Sequence, residues 1–305
     1  MEKPTVRKAK VVEVKGMTPR QLAQARKQFL DVLMSPIRLF NAIVYGVGFS
    51  VIGVLVIAGI LAYSFVRSLP DFNKMSFEQV KAITEKRVQA RIETKTPHKW
   101  VDIDDVSRDF LFSVVMSEDS TFFEHNGVNY DAMASSLAEN IREKKAAYGA
   151  STISQQVIKN VFLDNEKTVT RKVKEVLITL EMEKHLKKNQ ILELYLNLAE
   201  FGPDIYGVRA AAWHYFKKKP DKINAAEGAF MALMLPSPKR NHYAIFENKN
   251  LTRAKRRRIQ RILNDMLYQE YISEKQYRRY LTYDFFTQAA IPEHTNRGVA
   301  GGSYR

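Results

Sequence analysis

Cysteine is absent from the 305 residues, which excludes disulfides, thiol nucleophiles and thiolate metal sites. Metal-binding histidine patterns are missing as well. His98, His125, His185, His214, His242 and His294 are scattered, and no pair has the spacing of an H-E-x-x-H helix. No stretch alternates apolar and polar residues between hairpin turns, so a strand-rich fold is not expected. There is no internal repeat and no low-complexity tract. Acidic residues are in deficit, 33 against 48 basic, which leaves a net charge of +15. That balance calls for an anionic partner: nucleic acid, anionic lipid or a phosphorylated substrate. A hydrophobic content of 45% is enough for a packed core.

Charge is missing altogether from residues 39–66, which are flanked by Arg38 and Arg67. As a helix this run is roughly 42 Å long at ~1.5 Å per residue, enough to cross a bilayer with some tilt. A buried core helix seldom stays uncharged for so long. A cleavable signal peptide does not fit either, because the preceding segment is long and no A-x-A site follows. Residues 1–38 carry nine Lys and Arg against Glu2, Glu13 and Asp31. The positive-inside rule then puts the N-terminus in the cytoplasm and residues 67–305 outside. On this reading membrane phosphates are the expected anion, and nucleic acid is not a partner. The expected domains are a basic cytoplasmic segment (1–38), a transmembrane helix (39–66), a juxtamembrane linker (67–100), a catalytic domain (101–285) and a tail (286–305).

Beyond the anchor the pattern is helical almost throughout. Leu111, Val114 and Val115 form an apolar face before Glu118. Val169, Val173, Val176, Leu177 and Leu180 form another around Glu175, and Ile191, Leu192, Tyr195 and Leu196 a third. Gly202-Pro203-Asp204 reads as a turn, and Pro236 and Pro238 stop a helix.

Three of the four short motifs between Glu118 and Asn197 carry chemistry. Glu118 follows an apolar helix and precedes Asp119, so a like charge and partial burial would raise its pKa toward that of a general base. A surface Glu-Asp pair at a helix end is the plainer reading. Residues 149–160 gather Ser151, Thr152, Gln155, Gln156 and Asn160 around Lys159, a set of hydrogen-bond groups for sugar or phosphate oxygens. A capped helix with Ser151 or Thr152 as cap and Gln155 in the capping box accounts for part of it. Lys167, Arg171, Lys172 and Glu175 share a helical stretch. The cations suit a diphosphate, although Arg171 and Glu175 also have the spacing of an ordinary intrahelical pair. His125 reads as a structural loop residue. The basic run 253–261 reads as a solvated helix face with Ile259 and Ile262 turned inward.

In this order, behind one membrane anchor, the clusters resemble the peptidoglycan glycosyltransferases. The first resembles E-D-x-x-F-x-x-H-x-G-x-D, with Asn129 in place of the last Asp. The second resembles G-G-S-T-I-x-Q-Q-x-x-K-N, with Ala150 for the second Gly. The third resembles R-x-x-x-R-K-x-x-E, with Lys167 for the first Arg, and the fourth I-L-E-x-Y-L-N. The resemblance covers about residues 100–240 and is strongest to the monofunctional biosynthetic transglycosylases. It implies an all-α, lysozyme-like head lobe with a small jaw lobe against the membrane. It implies lipid II and a growing glycan strand as substrates. Glu118 would be the catalytic base and Glu175 a second essential carboxylate. Asp119, Phe122, Ser151, Thr152, Gln155, Gln156, Lys159, Asn160, Lys167, Arg171 and Lys172 would bind substrate. Some members are stimulated by a divalent cation, Mg or Mn, but no motif here requires a cofactor. Cell-wall synthesis or division proteins are the expected protein partners. No Ser-x-x-Lys and no Lys-Thr-Gly occurs, so neither crosslinking nor β-lactam sensitivity is expected. The alternatives are a lysozyme-like hydrolase or lytic transglycosylase, and a non-catalytic membrane-anchored scaffold.

Overall fold

The computed structural model describes residues 16–94, 96–143, 150–164, 166 and 168–287. They form two compact units, divided between Leu69 and Pro70.

The first unit is one helix, α1 (Pro19–Arg67). Thr18 opens it with a capping box: its hydroxyl accepts from Gln21 N, and the Gln21 side chain accepts from Thr18 N. Pro36 sits inside it. None of its residues is buried, and it is long and apolar enough to cross a membrane. The helix thus runs without a break from the basic segment through the uncharged run 39–66.

The second unit is nearly all helical. Its elements are α2 (Phe77–Gln89), α3 (Arg108–Glu118), α4 (Tyr130–Glu143), α5 (Ile153–Val161), α6 (Val169–His185), α7 (Lys188–Leu198), β1 (Glu200–Gly202), β2 (Ile205–Tyr206), α8 (Gly207–Phe216), α9 (Ala225–Ala232), α10 (Pro238–Asn241), a π-helical turn (His242–Glu247), α11 (Arg253–Tyr268) and α12 (Glu274–Leu281). The all-α expectation holds apart from one short antiparallel pair. Its register sets Glu200 against Tyr206 and Gly202 against Ile205, around the turn at Asp204. Strands this short carry no readable alternation, which is why the pattern showed only a turn.

α7 is the axis of the unit. Every residue from Ile191 to Leu198 is buried, including Glu193 and Asn197. The two polar groups latch the incoming chain. Glu193 accepts from Trp100 Nε1 at 2.8 Å and from Ile103 N at 3.0 Å. Asn197 pairs with both N and O of Val101, at 2.9 and 2.8 Å. The fourth motif is therefore a structural one, since each buried polar atom takes the backbone of a neighbouring segment. Residues 67–100, expected as a linker, belong largely to this core: Val80 and Val88 of α2 are buried and α2 packs on α7.

α3 packs most closely on α9, where Gly228 leaves the room. A Cβ there would lie 2.7 Å from Ser113 Oγ and 3.1 Å from Phe110 Cα. The same contact fixes the direction in which α3 delivers Glu118.

α6 departs from expectation. Val169, Val173 and Leu177 are exposed, and Glu175, Ile178, Thr179 and Met182 face inward. The apolar stripe marks the outer face of this helix. α4 is similar, with Met133, Leu137 and Ile141 exposed.

Candidate active site

Glu118 is the last residue of α3, and its side chain is only 12% exposed. Gln156 of α5 donates to it through Nε2 at 3.3 Å, and Arg258 of α11 stands at 3.7 Å. Burial pushes its carboxyl above the usual range, and the neighbouring Asp119 charge adds to that. The hydrogen bond from Gln156 and the charge of Arg258 pull the other way without cancelling it. The group is thus an enclosed carboxylate with raised basicity and one amide donor.

Asp119 does a different job. Its carboxylate lies 3.0 and 3.1 Å from His125 Nε2 and accepts the N–H of Ile153 at 3.0 Å. Gly127 N donates to His125 Nδ1 at 3.1 Å, so that nitrogen is the bare one and Nε2 carries the proton aimed at Asp119. Thr152 caps α5 in a capping box with Gln155 and donates its hydroxyl to Gly127 O at 2.6 Å. Gly127 has φ +90°, and a Cβ would strike Glu183 and Thr179 of α6 at 2.8 Å. The first two motifs thus form one joint between the end of α3 and the start of α5. His125 is structural, as expected. Phe122 is wholly buried, with the ammonium of Lys188 4.5 Å above its ring, so it offers no surface to a ligand. Gln155 is likewise enclosed.

Two clefts meet at the Glu118–Gln156 pair. One, of about 560 Å³, is lined by Glu118, Thr121, Asn129 and Ser151, with Ser136 and Glu139 of α4 opposite. The other, of about 520 Å³, is lined by Gln156, Lys159, Asn160, Arg91, Tyr195 and Glu200. Asn129 donates to Thr121 Oγ1 at 2.8 Å and accepts from Ala132 N at 2.8 Å, so an amide caps α4 here. Burial raises the Tyr195 phenol well above its ordinary value, and the Glu118 and Asp119 charges add to it.

Beside the first cleft, Lys172 Nζ donates to Ser151 Oγ at 3.2 Å. Lys172 also donates to Glu175 Oε1, and Arg171 Nη1 donates to Glu175 Oε2 at 2.7 Å. Glu175 is 1% exposed, so both its oxygens are committed to cations. Lys159 is exposed in the second cleft and makes no ion pair among the described residues. Arg91 Nη2 binds Asn160 O at 2.6 Å beside it. The expected cations are thus distributed around both clefts, and Gly149 and Lys167 lie outside the described residues. Arg258 was hidden in a run whose remaining charges cover a solvated face. No sequence signal sets it apart, because Arg261 likewise precedes a buried isoleucine and stays exposed, whereas Arg258 reaches Ser117 Oγ at 3.2 Å.

The geometry brings together an enclosed carboxylate of raised basicity, two ligand-sized clefts and cations suited to phosphate oxygens. The chain matches a family model described as Transglycosylase over residues 85–267. It is 40% identical over 160 residues to a protein of Nitrosomonas eutropha named biosynthetic peptidoglycan transglycosylase, covering 50% of this chain and 66% of that one. It is 35% identical over 175 residues to the protein of that name from Herminiimonas arsenicoxydans, covering 57% and 74%. It is 38% identical over 167 residues to that of Acinetobacter baumannii, covering 55% and 73%.

Proposed function

The chain belongs to the transglycosylase family, the enzymes that build peptidoglycan glycan strands, and on that premise we propose that it polymerises lipid II by inverting transfer with Glu118 as base. The observation that carries this reading is the position of Glu118: enclosed, raised in basicity, and standing where two clefts meet.

In the proposed reaction the two sugars to be joined occupy the two clefts. Glu118 takes the proton of the acceptor 4-hydroxyl. The freed oxygen attacks the donor's anomeric carbon from the face opposite the diphosphate. The bond from that carbon to the diphosphate oxygen breaks, and undecaprenyl diphosphate leaves with the electron pair. The new linkage is β-1,4. Arg171 and Lys172 beside one cleft and Lys159 in the other neutralise phosphate oxygens, a contribution of about 10²–10³ in rate per preorganised donor. Glu175 holds Arg171 and Lys172 in place as a positioning residue. With both oxygens taken it offers no free carboxylate to a divalent ion, and no step is assigned to one.

The protein is membrane-anchored through α1, and the basic segment before it places the following unit on the periplasmic side in this reading. The exposed apolar stripes of α4 and α6 suit contact with lipid. No observation favours a hydrolase, because glycan cleavage has no diphosphate leaving group for the cations to serve.

The test is polymer formation from labelled lipid II in detergent. Wild type should make polymer, and Glu118→Gln should lose about 10²–10⁴ in rate while remaining folded, the range for removing a general base. Polymer from both would remove Glu118 from the mechanism. No polymer from folded wild type, with purified strands shortened instead, would favour cleavage.

A further inference from the structure

We propose that His214, His242 and Glu247 form a binding site for a zinc-class divalent metal, beside Gly202 of β1. His214 comes from α8, and the other two open and close the π-helical turn His242–Glu247. One ligand atom from each lies within 4.8 Å of the others. π-turns are rare and concentrate at functional positions. This one sets His242 Nε2 3.2 Å from Glu247 Oε1.

The hydrogen-bond network leaves a neutral His242 with no proton at that contact. The Tyr215 hydroxyl donates to the Phe201 carbonyl at 2.7 Å, and a carbonyl can only accept. Its single proton is therefore spent there. His242 Nδ1, 3.0 Å from the same oxygen, must be the donor of that second bond. A neutral His242 then has a bare Nε2, and this lone pair faces a carboxylate oxygen. Two acceptors at 3.2 Å repel unless a positive centre lies between or beside them. Nearby, His214 Nε2 is enclosed and has no hydrogen-bond partner. A second proton on His242 would answer the first condition alone, whereas a metal ion answers both at once.

Two imidazoles and one carboxylate make the donor set of an open zinc site, with water as fourth ligand. Hard ions such as Mg would prefer an all-oxygen shell. Tetrahedral bonds of 2.0–2.1 Å put ligand atoms about 3.3 Å apart. The His242–Glu247 contact already has this separation, and Glu247, 52% exposed, is free to swing onto the ion. Tyr215 supplies the outer hydrogen bond that fixes the His242 tautomer, as metal-bound histidines require. Gly202 lies against this network: a Cβ there would meet Tyr215 Oη at 2.9 Å and His242 Nδ1 at 3.1 Å. A bound ion would tie α8 to the π-turn.

The test uses the full chain in detergent, stripped of metal. Zinc chloride is titrated in competition with a chromogenic chelator, and cobalt chloride is added separately for its visible spectrum. One equivalent of zinc and an intense four-coordinate cobalt band are expected. Both should vanish in Glu247→Ala, whose exposed side chain can be lost without harm to the fold, and in His214→Ala. Tyr215→Phe should bind about 10–100-fold more weakly, as outer-shell losses do. Zinc should raise the melting temperature of wild type and not of Glu247→Ala. The proposal is overturned if wild type binds no zinc, or if the His214→Ala/Glu247→Ala double variant binds it as tightly as wild type.

Discussion

Glu118 sits under opposed influences, and the balance between them is measurable. Burial first, and Asp119 after it, raise its pKa above the ordinary 4.5, while Gln156 and Arg258 restrain the rise. In the proposed role of base Glu118 works only when ionised, so the acid limb of kcat/KM should lie above that ordinary value. Arg258→Met removes a restraining charge. The limb should then move to higher pH, while the plateau above it changes little. An unmoved limb would detach Arg258 from the base. The signs follow from linkage: the neutral form of Glu118 is the one that folding favours. At this scale the sequence was informative about which residues matter and less so about what each does. Glu118, Asp119 and Glu175 were legible as charged pairs in motifs. Phe122 was expected to bind substrate through the resemblance alone, and Thr152 and Gln155 read both as ligand contacts and as a helix cap; all three are buried, and the cap forms. Arg258 could not be singled out, since a basic run on a helix gives no sign of which member reaches across to another element.

Among the elements, α3 and α9 bear most directly on the site. Gly228→Ala would force a methyl against Ser113 and Phe110. A cost of about 1–3 kcal/mol is expected from overpacking a close helix contact, read by chemical denaturation. Activity should fall further than stability alone explains, because α3 ends in Glu118. An unchanged denaturation midpoint would show that the pair can slide apart without strain. The faces of α3 and α7 were readable from their periodicity. The stripe on α6 has the same periodicity but the opposite meaning, because hydrophobic spacing reports that a face is apolar and not what covers it. Here the inward position is taken by Glu175, which Arg171 and Lys172 neutralise. The segment holding α2 escaped notice as part of the fold because Val80 and Val88, buried where α2 packs on α7, are separated from α7 by about a hundred residues of sequence.

Over the whole molecule, the split between Leu69 and Pro70 separates an anchor from a unit with its own core. Removing residues 1–69 should leave the melting of the rest within about 0.5 kcal/mol of its value in the full chain, as expected for distant, independent parts. A large loss would mean that α1 contributes to the stability of the second unit. The anchor was plain in the sequence because a long uncharged run has few other uses. The metal-class histidines were not, because His214 and His242 are brought together only by the packing of α8 on the π-turn.

The cleft beside Ser151 has walls of unequal character. α5 is clamped at its start by Asp119 and Thr152, and most of its residues are buried. α4, across from it, has no buried residue. Local opening is easiest where few contacts resist it. Amide hydrogen exchange should therefore be fast along α4 and slow along α5, with the Ile153 amide protected by its bond to Asp119. Widening this cleft for a passing strand then costs the opening of one lightly held helix, while the wall that orients the base stays fixed. Equal exchange on the two helices would contradict this division.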